Sequence, residues 1–151
     1  MEKSNQQIIN ETDTEIDQRS LLQLIHHILE AERLPLDTIL NVVFVNNETI
    51  HQLNKRFLGR DSATDVLSFN VHTEYLPGNL KILGDIYISL EKASIQAQEY
   101  DVIFMDEVRR LVVHGLLHLI GYEHNNEKDE KVMESLTEKY LGYSGEEISC
   151  C

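Results

Sequence analysis

The stretch that decides how this chain is read is His114-Gly115-Leu116-Leu117-His118-Leu119-Ile120-Gly121-Tyr122-Glu123-His124. Its apolar residues continue a pattern set by Val108, Leu111 and Val112, so it closes an expected helix over about 106–120. At 3.6 residues per turn, His114 and His118 project from one face, a turn apart, and can aim ring nitrogens at a common point. Gly121 can take the positive φ that other residues resist, ending the helix and allowing His124 to return as a third donor. Three neutral imidazoles suit Zn2+, one ion per chain, and leave a fourth tetrahedral position for water. A lone histidine beside an apolar face is ordinarily a hydrogen-bonded core residue. Three at this spacing, with a glycine where the helix must stop, are not explained by packing.

The spacing follows the long zinc-protease signature H-E-x-x-H-x-x-G-x-x-H except at one position: Gly115 stands where the general-base Glu belongs. Removing that carboxylate forfeits much of the 10²–10⁴-fold typical of general-base catalysis, so proteolysis is disfavoured. The site then suits a reaction in which the metal supplies hydroxide directly, or in which Glu123, Asp85 or the substrate itself handles the proton.

Outward from this stretch, Leu21, Leu22, Ile25, Ile28 and Leu29 fall at spacings of three and four, giving a helix over about 18–32. His26 and His27 beside it are read as surface or capping residues. Residues 39–45 are rich in β-branched side chains and read as a buried strand; Asn46-Asn47 then cap a helix with Ile50, Leu53 and Phe57 turned inward. Residues 64–71 alternate as a strand with one buried face, Pro77-Gly78-Asn79 marks a turn, and 81–90 is the next strand, with Gly84 admitting a close neighbour. Helices are expected near 90–100 and 127–141. Strands in the middle and helices at both ends make an α+β order in one domain over 1–151, with 1–17 and 142–151 loosely ordered.

Composition agrees with one soluble domain: 151 residues, 42% hydrophobic and 26% charged, with no repeat and no Gly/Ser/Pro-rich linker. No signal-peptide pattern and no membrane-spanning run is present, so the cytoplasm is the expected compartment and no membrane partner is expected. Cys150 and Cys151 close no long loop and are read as tail residues. The formal net charge of −13 argues against passive coating of nucleic acid. Lys55, Arg56 and Arg60 nonetheless form a local basic stretch.

Read as H-G-x-L-H-L-x-G-Y-[DE]-H, residues 114–124 resemble the signature of the YbeY family of bacterial endoribonucleases, including the Gly in place of Glu. Thr64-Asp65-Val66-Leu67-Ser68-Phe69, Leu83-Gly84-Asp85-Ile86 and Leu53-Asn54 agree with it in the same order, over about 40–141. The resemblance implies an α+β domain with a small mixed sheet packed with helices and a zinc site, metalloprotease-like, on the long helix. It implies cutting of single-stranded RNA in ribosomal RNA maturation, notably at the 3′ end of the small-subunit RNA, and in ribosome quality control. The ribosome or its proteins would be partners, and DNA would not. Zinc ligands carry over to His114, His118 and His124. The family's Arg falls on Leu58, so either Arg60 or Arg56 reaches the same phosphate or the step that this Arg serves is weaker here. Lys55, Arg56 and Arg60 are therefore expected at the mouth of the cleft as RNA-binding residues. Catalytic candidates are Arg60, Glu123 and Asp85. Two other readings stand beside this one: a peptidase-like zinc hydrolase, and a zinc-stabilised ribosome-binding module without catalysis.

Overall fold

A computed structural model describes residues 5–70, 82–123 and 125–142. Along the chain run β1 (Gln6–Asn10), α1 (Gln18–Ala31), β2 (Ile39–Val45), α2 (Asn47–Leu58), β3 (Val66–Asn70), β4 (Ile82–Ser89), α3 (Leu90–Glu99), α4 (Phe104–Ile120) and α5 (Glu127–Leu141). The strands form one mixed sheet in the order β1-β2-β4-β3, parallel between β1, β2 and β4 and antiparallel between β3 and β4.

Local chemistry sets the helix starts. The side chains of Asp17, Asn46, Ser89 and Asn126 each accept from a backbone N–H two or three residues into the helix they cap. On one face of the sheet, α1, α4 and α5 pack Leu21, Ile25, Leu111, Leu116 and Tyr140 against Leu40, Phe44, Ile86 and Ile88. On the other, α2 covers a smaller cluster of Val43, Val45, Ile50 and Leu67. Helix α4 lies at the centre, in contact with α3, α5, β3 and β4. From Leu111 onward it is apolar apart from His114 and His118, and most of that half is buried.

Two expectations are corrected. Residues 1–17 are not loose throughout, because Gln6–Asn10 adds a parallel strand beside β2. The pattern hid it: Gln6 is buried, and its amide donates to the Leu36 carbonyl at 2.9 Å while its Oε1 meets His26 Nε2 at 2.7 Å. Phe57 does not turn inward; it is 58% exposed. The expected turn at Pro77-Gly78-Asn79 lies outside the described residues, as do Cys150 and Cys151. No described helix is long and apolar enough to cross a membrane.

Gly84 marks a close approach of two strands within the sheet. It has φ +144°, and a Cβ built there would stand 2.1 Å from the Phe69 carbonyl oxygen. Only a residue without a side chain lets β3 close on β4 at this register.

Candidate functional site

Within residues 111–120 of α4, nearly every side chain is buried, whereas His114 and His118 are half-buried. Their rings are neighbours, with centroids 5.0 Å apart and planes at 58°. Both line a cleft of about 460 Å³ together with Leu58, Arg60, Asp65, Ser68, Asn70 and Glu123.

The cleft's opposite wall is β3, fastened to α4 by two hydrogen bonds. Ser68 Oγ donates to the Gly115 carbonyl at 3.2 Å, and Asn70 Nδ2 donates to the Leu119 carbonyl at 3.2 Å. This close approach explains the absent protease base. A Cβ on Gly115 would stand 2.8 Å from Ile86 Cγ2, 3.1 Å from Ser68 Oγ and 3.3 Å from Val66 Cγ2. Position 115 faces the sheet and has no space for a side chain, so a carboxylate must come from elsewhere.

Helix α4 ends as expected at Gly121, with φ +124° and its N–H directed at the carbonyls of Leu117 and His118. The following residue is anchored: Tyr122 OH donates to Glu32 at the end of α1 at 2.7 Å, and Tyr140 OH donates to the other oxygen of the same carboxylate. The Glu32 hydrogen bond holds the Tyr122 phenol above its ordinary pKa, and burial followed by Glu32 does the same for Tyr140. From this anchored turn Glu123 reaches the cleft, its Oε2 accepting from Asn125 at 2.6 Å. His124 lies outside the described residues. Among the described residues no three His, Cys, Asp or Glu side chains assemble as a metal-holding group. The fit to a metal therefore rests on the paired imidazoles of α4 and the turn that leads toward His124.

Of the three expected basic residues, only Arg60 lines the cleft. Its loop is held by Asn54, which is buried: Asn54 Nδ2 donates to the Ser62 carbonyl at 2.9 Å, and the Asn54 carbonyl accepts from the Arg60 N–H at 3.2 Å. His51 Nε2 and Asp61 Oδ1, 2.6 Å apart, add a surface link across the same loop. That hydrogen bond and the charge of Lys55 lower the Asp61 pKa. Lys55 and Arg56 sit in the last turn of α2 outside the cleft lining, with the Arg56 guanidinium 5.4 Å from the Phe57 ring centre.

Asp85 is not brought to the histidines. It is registered opposite Phe69 and Asn41, and its Oδ1 accepts from Asn41 Nδ2 at 3.0 Å. Ser68 and Ile86, which meet α4, alternate with Phe69 and Asp85, so Asp85 faces the other side of the sheet. Asp65 takes its place in the cleft. One oxygen accepts from the Val66 N–H at 2.8 Å and the other from Gln96 Nε2 at 3.2 Å, making it a fixed acceptor. The motif 64–69 contained Asp65 and Ser68, but strand alternation alone did not mark them as lining a site.

Charge across the site is uneven. On the far side of His114, a groove of about 590 Å³ between α4 and α5 is lined by Glu130, Glu134 and Glu138, with Arg110 opposite. Arg110 is committed to buried Glu107, donating from Nε at 2.9 Å and from Nη2 at 2.6 Å. A polyanion therefore meets attraction at Arg60 and repulsion at α5.

Comparison with known proteins bears on this arrangement. The sequence model of Endoribonuclease YbeY matches residues 5–145. Endoribonuclease YbeY of Geobacillus thermodenitrificans is 42% identical over 130 residues, 81% of this chain and 83% of the relative. That of Latilactobacillus sakei is 40% identical over 92% of this chain and 96% of the relative. The solution structure of TM1509 from Thermotoga maritima superposes with a TM-score of 0.61 at 30% identity, covering 90% of this chain and 86% of that one. With the match running from β1 to just past α5, through the cleft wall, the histidine helix and the Gly115 close approach, the chain belongs to the YbeY endoribonuclease family.

Proposed function

We propose that this protein is a zinc-dependent endoribonuclease that cuts single-stranded RNA, acting on ribosomal RNA at the 3′ end of the small-subunit RNA and in ribosome quality control. Its setting would be the cytoplasm, with the ribosome or its proteins as partners. The observation that carries the reading is that Arg60 and the adjoining rings of His114 and His118 line one cleft.

His114, His118 and His124 would hold the ion, which when bound supplies Lewis-acid polarisation of a phosphoryl oxygen and a lowered pKa for water. The chain's own residues do the rest. Arg60 pairs with a phosphate oxygen and offsets charge that builds up as the phosphorus is attacked. Glu123, on the exposed side of the cleft, takes the proton of the attacking water and returns one to the leaving oxygen. Asp65, Ser68 and Asn70 shape the wall, and Ser68 and Asn70 keep α4 in place through the Gly115 and Leu119 carbonyls. The acidic face of α5 turns the RNA toward the β3 side.

Arg60→Ala tests the assignment. A charge-assisted hydrogen bond is worth about 1.5–3 kcal/mol, so RNA binding or turnover should fall roughly 10- to 100-fold with zinc content unchanged. Unaltered RNA kinetics would remove Arg60 from the mechanism. Arg56→Ala, outside the cleft lining, should have the smaller effect.

A further inference from the structure

We infer that Phe57, flanked by Arg56 and Leu58, is a stacking platform for an unpaired base of the RNA strand; the inference rests on the RNA reading above and deepens it. The last turn of α2 leaves two adjacent large apolar side chains in water: Phe57 is 58% exposed and Leu58 is 49% exposed. Neither exposure serves the core.

The Phe57 ring is nevertheless fixed. It meets Phe69 edge-on at 5.7 Å and 67°, and Phe69 in turn meets Tyr87 at 5.8 Å and 75°. A ring already held by its neighbours loses little freedom when a base is laid on it.

The surroundings are those that a nucleotide needs. From Thr49 to Arg60 the sequence carries Lys55, Arg56 and Arg60 and no acid, in a chain of net charge −13. The Arg56 guanidinium lies 5.4 Å from the Phe57 ring centre, as in sites where an aromatic face and a cation share one nucleotide. The platform is also continuous with the cleft. Leu58 and Arg60 line it, whereas Phe57 packs on the Phe69 side of β3, at the end of the strand order. An RNA strand leaving the histidines past Arg60 and Leu58 rounds the β3 edge and meets Phe57 next. Recognition by a ring face is indifferent to base identity but requires an unpaired base, so this element selects single-stranded over duplex RNA.

The chain contains no Trp, so Phe57→Trp introduces one indole with no background. This variant is titrated with a labelled single-stranded RNA of about eight nucleotides. Anisotropy reports binding and indole emission reports stacking. A parallel titration uses an abasic ribose-phosphate chain of equal charge. Quenching by the RNA, following the anisotropy curve, and none by the bound abasic chain is the expected result. Phe57→Ala should lose about tenfold in RNA affinity and Phe57→Tyr should recover it, with zinc content unchanged in both. Bound RNA that leaves the indole emission unaltered, or equal affinity of Phe57→Ala and the parent chain, overturns the platform while sparing the endoribonuclease reading. Failure of the parent chain to bind the RNA overturns both.

Discussion

Replacing Gly84 by Ala should peel β3 from β4 and damage the cleft from behind. The added Cβ would stand 2.1 Å from the Phe69 oxygen, 3.0 Å from the Phe69 carbonyl carbon and 3.2 Å from Asn70 Cα, all backbone. An ordinary carbon–oxygen contact needs about 3.3 Å or more, so β3 must retreat by about 1 Å, breaking or stretching one or two ladder hydrogen bonds. Each is worth about 0.5–1.5 kcal/mol, and a side chain at φ +144° adds about 1–3 kcal/mol of strain. The sum is about 2–6 kcal/mol out of a total stability of about 5–15 kcal/mol, a fall in melting temperature of roughly 5–20 °C. Gly121→Ala supplies the control, since Gly121 has φ +124° but nothing within 4 Å of its would-be Cβ. Urea or thermal unfolding of the two variants separates the clash from the backbone term. Ser68 and Asn70 move with β3, so Gly84→Ala should also lower RNA turnover per folded molecule. Equal unfolding midpoints for the two variants would refute the reasoning.

Gly115→Ala sets about 1–3 kcal/mol of overpacking against Ile86 and Ser68 against a gain of about 1 kcal/mol in helix propensity. Urea unfolding should show a net loss of up to about 2 kcal/mol, and a stabilised variant would mean that α4 has slack against the sheet. Gly115→Glu should lose more and acquire no peptidase activity, measured on an unfolded protein substrate with zinc added. Tyr122 and Tyr140 have folded pKa values raised above their ordinary 10.0. Their contribution is therefore fully present below pH 10.0 and is lost as pH climbs through the raised values. Tyr140→Phe should cost about 1–3 kcal/mol at neutral pH and flatten the alkaline loss of stability in urea titrations, whereas a steeper loss would contradict the Glu32 assignment.

Much of the fold was legible because most elements announce themselves by period and cap. The apolar spacing of α1, the β-branched run of β2 and the glycine closing α4 each state their structure locally. Strand β1 did not, because Gln6 satisfies its buried amide through the Leu36 carbonyl and His26, far along the chain. Phe57 falls at the spacing of Ile50 and Leu53 on the inward face of α2, yet its ring meets Phe69 only edge-on and stays 58% exposed.

At the site, the pairing of His114 with His118 followed from helical spacing. Asp85 and Asp65 could not be sorted without the register of β3 on β4, which decides the face each carboxylate takes. That Arg60 lines the cleft while Arg56 lies outside it depends on how Asn54 folds the loop after α2. In sequence Gly115 reads as a missing base; that it is also the contact point between helix and sheet is a property of three dimensions.

Zinc stoichiometry, measured side by side on the purified chain and on His114→Ala, His118→Ala and His124→Ala, bears most directly on the central claim. One ion per parent chain, with loss of affinity in each of the three variants and RNA cutting lost in step, is the outcome expected. Full zinc retention without His124, or RNA cutting that survives removal of the ion, would contradict it.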